Sequence, residues 1–141
     1  MSYLNIDDGM GDHPKIDRLT DAAFRLHLTA MLYASQKGTD GRILRTRSRL
    51  LTATGNDVAV TELIEAGIWH DVGQGCGTAT CLAGDDSGYV IHDYLQWNHS
   101  AHWWEQRSIE QAAHGSKGMH RRWHERRGIK HPDCKHCNAS A

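Results

Sequence analysis

Apolar residues recur at helical spacing from residue 19 onward. Leu19, Ala22, Ala23, Leu26, Ala30 and Tyr33 follow a 3.6-residue period, which predicts a helix over residues 19–38. Thr20 is its candidate N-cap, Leu19 and Phe24 are placed as a hydrophobic staple, and Gly38 is the expected stop. A second set, Phe24, Leu28, Met31 and Leu32, makes this segment apolar on most sides, so it is expected to be the central core helix. Residues 1–18 show no such period and read as a lead-in. After the helix, TDGRIL is a turn and a short extended piece. Residues 45–55 read as a short helix ending in a turn at Gly55. Residues 56–67 read as another, with Asn56 as candidate N-cap and Gly67 just past the end.

The pattern then changes to strands. IWHDV (68–72) and GYVIHDYL (88–95) are β-prone runs separated by the fifteen residues GQGCGTATCLAGDDS. That combination predicts a hairpin with a long, mobile tip. From Ser100 a further helix is expected; its apolar period is weak, so it is exposed or packed on a partner, including a second copy in a homodimer. GSKG (115–118) reads as a hinge, and residues 119–128 as a last short helix.

The expected fold class is mainly α with a small β-hairpin wing: a winged helix-turn-helix followed by a C-terminal helix and a small zinc-stapled element. The expected divisions are a lead-in at 1–18, the winged domain at 19–99, helix and hinge at 100–118, and a basic His/Cys tail at 119–141. LTDAAFRLHLTAMLYASQKGTDGRIL, then LIEAGIWHDV, then GYVIHDYLQWNHS, resembles helix-turn-helix proteins of actinobacterial phages. Those in turn are similar to the N-terminal winged-helix domains of phage replication-initiation proteins. The resemblance covers roughly residues 12–100. It implies a DNA-linked role in replication or transcription control, and it carries no catalytic residues.

Charge sharpens this picture. The 141 residues carry a net charge of −1, but residues 101–141 hold eight Lys/Arg against four Asp/Glu, whereas residues 1–100 hold eight against thirteen. A basic arm of this kind suits an acidic partner such as duplex DNA. There is no secretory leader and no apolar run long enough for a membrane span, so a cytoplasmic protein with reduced thiols is expected.

The tail holds the most specific chemistry. His120 and His124 are spaced to share one helix face, Gly128 and Pro132 break the helix, and Cys134 and Cys137 form a C-x2-C turn. H-x3-H-x9-C-x2-C is a Cys2His2 set for tetrahedral zinc, in reversed order. His131 or His136 could replace a helix histidine. Arg121, Arg122, Arg126, Arg127, Lys130 and Lys135 surround the set; the first five, with Arg42, Arg45, Arg47 and Arg49 upstream, are the candidate DNA contacts.

Other features are bland. Cys76 and Cys81 read as free thiols in a flexible loop, with a metal site or redox pair as alternatives. His92, Asp93, His99 and His102 read as packing and surface groups; no nucleophile motif or phosphate loop accompanies them, so no enzyme activity is expected. Trp97, Trp103 and Trp104 read as packing residues. The helix at 56–67 presents Asp57, Thr61, Glu62 and Glu65, a face that repels DNA. This leaves a rival reading, in which the module docks a host or replisome protein.

Overall fold

The computed structural model describes residues 3–53 and 56–139. It is mainly helical with one small antiparallel sheet. The chain forms two compact units, Met1–Ala101 and His102–Ala141.

In the first unit, a short helix α1 (Pro14–Asp17) precedes the long α2 (Asp21–Lys37). Thr20 caps α2 as expected, its side chain accepting from the Ala23 backbone N–H. Glu62 braces the same corner: its carboxylate accepts from the Thr20 N–H and hydroxyl, both at 2.7 Å. Gly38 ends the helix in the left-handed region, with φ of 61°, and its N–H reaches the Ala34 carbonyl. Ala23, Leu26, His27, Ala30, Met31 and Ala34 form the buried face. The second apolar set is only partly used, since Phe24 and Leu32 are exposed.

Strand β1 (Arg42–Leu44) runs into a single helical turn, α3 (Arg45–Ser48). The helix expected over residues 45–55 is thus much shorter, and the turn expected at Gly55 lies outside the described residues. Helix α4 (Asn56–Glu65) packs on α2, and Gly67 follows it with φ of 67°. Asn56 opens α4, and its carboxamide N–H reaches back to the Arg49 carbonyl at 2.7 Å. Strands β2 (Trp69–His70) and β3 (Gly88–Ile91) form the expected hairpin. The extended piece at β1 adds a third strand: β3 lies in the middle, antiparallel to both neighbours. A short helix, α5 (Tyr94–Trp97), closes the unit; Trp97 is exposed rather than packed.

The core gathers α2, α4 and the sheet around Leu26, Ile43, Leu63, Trp69 and Ile91. Trp69 is fully buried, and its indole N–H donates to His27 Nδ1 at 3.1 Å. Burial pushes the His27 imidazole down from 6.5 to about 4. The folded protein therefore keeps His27 neutral where the unfolded chain would protonate it. Its contribution to stability is complete above pH 6.5 and is lost as pH falls towards 4, at roughly 1.4 kcal/mol per pH unit. Urea titrations of wild type and His27→Gln at pH 7 and pH 4.5 check this. The wild type should lose more stability on acidification than the variant, by about 2–3 kcal/mol; equal losses would refute the assignment.

The second unit is built on α6 (Ala101–His120), none of whose residues is buried. Residues 115–118, expected as a hinge, lie inside this helix. The helix continues into a π-helical turn, Arg121–Glu125, rather than starting afresh at 119. After Gly128, at φ of 63°, the chain turns back to a short helix, α7 (Lys135–Asn138).

Candidate metal centres

The tail brings together the four side chains its spacing suggests. One ligand atom each from His120, His124, Cys134 and Cys137 lies within 4.8 Å of the others. His120 Nδ1 is 3.3 Å from His124 Nδ1, 3.4 Å from Cys134 Sγ and 3.6 Å from Cys137 Sγ. His124 Nδ1 is 3.2 Å from Cys137 Sγ. Tetrahedral zinc with ordinary bond lengths separates two nitrogens by about 3.3 Å and a nitrogen from a sulfur by about 3.5 Å. The observed separations match those edges. Hydrogen bonding does not account for them. A neutral imidazole nitrogen carries one proton or one lone pair, so Nδ1 of His120 cannot satisfy three partners at once. A cation at the centre would satisfy all four groups.

The local backbone explains the convergence. Residues five apart on an α-helix sit about 140° round from each other. The π turn, with i→i−5 bonding, brings such pairs together. Arg126 N–H bonds the Arg121 carbonyl at 3.2 Å in this register. Glu125 then reaches His120, with Oε1 at 3.3 Å from Nε2. A carboxylate on the outer nitrogen of a ligating imidazole fixes its tautomer and aims the inner nitrogen. At the other end, Cys134 caps α7 and the Cys137 N–H bonds the Cys134 carbonyl at 3.0 Å. The Cys137 backbone N–H and the nearby His120 pull the Cys134 thiol down to about 6, towards the ligating thiolate. His131 and His136 lie beside the set but outside it, their rings 6.1 Å from that of His124 and 5.5 Å from that of His120. His136 Nε2 is 3.0 Å from Ser116 Oγ, and His131 Nδ1 accepts from the Asp133 N–H.

A second cluster of the same composition lies at the hairpin and its long loop: His70, Cys76, Cys81 and His92. Cys76 and Cys81 are free thiols, as expected, and both belong to this cluster, which is the arrangement the metal-site alternative requires. Cys81 is buried, and both sulfurs face the two imidazoles. Burial and the neighbouring His92 push the His70 imidazole down, and the Cys81 thiol beside it pushes Cys76 up.

The arginines upstream are engaged within the fold. Arg42 pairs with Asp85 at 2.7 Å. Arg45 pairs with Asp71 and lies over the Tyr89 ring. Its hydrogen bond holds the Asp71 carboxyl below the usual range. Arg49 meets Asp57 at 3.5 Å, and Arg47 lies over Tyr33. By contrast, Arg121, Arg122, Arg126, Arg127, Lys130 and Lys135 are all exposed, and among the described residues none forms an ion pair. Arg122 and Arg127 flank the Trp123 ring at 5.8 and 4.2 Å.

No helix is long and apolar enough to cross a membrane among the described residues. Comparisons with protein-family models, curated proteins and solved structures gave no match for this chain.

Proposed function

We propose that this is a non-catalytic protein that binds duplex DNA in the host cytoplasm, of the phage type its sequence resembles, in replication or transcription control. Zinc at His120, His124, Cys134 and Cys137 holds the basic tail in shape. The carrying observation is the set of exposed cations around that ligand cluster, which have no carboxylate partners among the described residues. The first unit supports a winged-helix reading through its order, α2–β1–α3–α4–β2–β3, with β3 between the other strands. Its arginines contribute less than their number suggests, because Arg42, Arg45 and Arg49 already face carboxylates. A rival reading draws on α4, where Val58 stands 76% exposed beside Asp57, a surface suited to a protein partner.

Salt dependence separates the two. With about five phosphates contacted, log affinity against log salt should slope by roughly −4 to −5 on duplex DNA. Changing Arg121, Arg122, Arg126 and Arg127 together to Gln should reduce the slope to about −1, while Arg45→Ala with Arg47→Ala changes it little. Binding that ignores salt, or is undetectable at low salt, rejects the DNA reading and favours protein docking.

A further inference from the structure

We propose that the wing is a second, independent zinc site, with His70 Nε2, Cys76 Sγ, Cys81 Sγ and His92 Nδ1 as its ligands. Five separations carry it. The two imidazole nitrogens are 3.0 Å apart. His70 Nε2 lies 3.1 Å from Cys81 Sγ and 3.5 Å from Cys76 Sγ. His92 Nδ1 lies 3.2 Å from Cys76 Sγ and 3.5 Å from Cys81 Sγ. These are tetrahedral edges for an N2S2 cation of zinc size. Each ring nitrogen faces three partners, which neither one proton nor one lone pair can serve.

The surroundings are built for the same purpose. Asp93 Oδ2 sits 3.1 Å from the outer Nε2 of His92, the carboxylate that orients a ligating imidazole. The strand register supplies the pair of histidines: His70 faces Val90, so His92 is its diagonal neighbour on the same sheet face. The tip folds over to deliver the sulfurs. The Gly84 N–H bonds the Gln74 carbonyl at 3.0 Å. Gly84 is needed there, since a Cβ would fall 2.3 Å from the Asp71 carbonyl oxygen. The Cys81 N–H reaches the Thr78 carbonyl at 3.3 Å, closing the turn between the cysteines. The tip expected to be mobile is thus a loop that zinc would clamp to the sheet. The ion's role is structural, because four protein ligands leave no open position for substrate.

The test uses the full chain, purified without chelator, and metal content by elemental analysis. Wild type should hold two zinc ions per chain, Cys76→Ser one, Cys134→Ser one, and the double variant none. Cys76 is exposed, so its replacement disturbs no packing. Should Cys76→Ser nevertheless misfold, cobalt added to Cys134→Ser after its zinc has been removed reads the hairpin site directly, with the first unit unaltered. The intense visible spectrum of tetrahedral thiolate coordination is expected there. Its absence overturns the proposal, as does a wild type with a single zinc that Cys76→Ser retains. A Cys76–Cys81 disulfide in the native protein would overturn it too. None of these outcomes depends on DNA binding.

Discussion

Cys137→Ser is expected to strip the tail of its metal and of its order together. Residues 128–139 have little else to hold them: Ile129 is 52% exposed, and Cys137 is the one buried side chain among the described residues of that segment. Ordering ten residues costs roughly 10–20 kcal/mol of backbone entropy, and structural zinc supplies roughly 10–16 kcal/mol at neutral pH. No hydrogen bond in the segment approaches that size. Elemental analysis should show one metal fewer per chain than wild type, and limited proteolysis should cut the variant between Gly128 and Cys134. The first unit should still melt cooperatively. Acidification should release the same metal from wild type, because protons compete for two thiolates and two imidazoles. A Cys137→Ser protein with undiminished metal would remove the tail site from consideration.

Trp69→Ala should be the most damaging single change in the first unit. The side chain is fully buried between α2, α4 and the sheet, and truncating a buried Trp costs about 3–5 kcal/mol. It also leaves His27 Nδ1 without its donor inside the core. Trp69→Phe separates the two contributions. It keeps much of the volume and loses only the N–H, so about 1–2 kcal/mol is expected. Denaturant midpoints of the three proteins measure both. A Trp69→Ala midpoint within error of wild type would mean the indole is not a core element.

What could be read directly from the residues depended on how local the determining signal is. Helix α2 was legible because Thr20, the apolar period and Gly38 all lie on one short segment and agree. The tail ligands were legible for the same reason: two pairs, each within one turn of chain, separated by helix breakers. The hairpin was legible, but its third strand was visible only as an extended piece, since pairing with β3 is a long-range event. The hairpin cluster was legible only as an alternative for Cys76 and Cys81, without its histidines, because its ligands span 70 to 92 and their meeting depends on strand register. One signal was available: the two β-prone runs both carry His-Asp after an apolar pair, IWHD and VIHD, on either side of the cysteine pair. The arginine cluster misled in the opposite direction. Arg42, Arg45 and Arg49 look free in sequence, yet their carboxylate partners Asp85, Asp71 and Asp57 lie 43, 26 and 8 positions away.

The π turn at Arg121–Glu125 has a consequence for how this chain can change by mutation. It is in effect an α-helix carrying one residue too many, held open between His120 and Gly128. Exchanging one letter for another on its outer side leaves that spacing alone. Losing a single codon there would let the ladder relax into ordinary α-helix, with no hydrogen bond lost. The same loss would leave Glu125 four positions from His120, only about 40° round on an α-helix, so the carboxylate would still face the imidazole. Frame-preserving loss of one outer residue in this stretch, all five of whose residues lie at or near the surface, is therefore a change the helix can absorb with that pair kept.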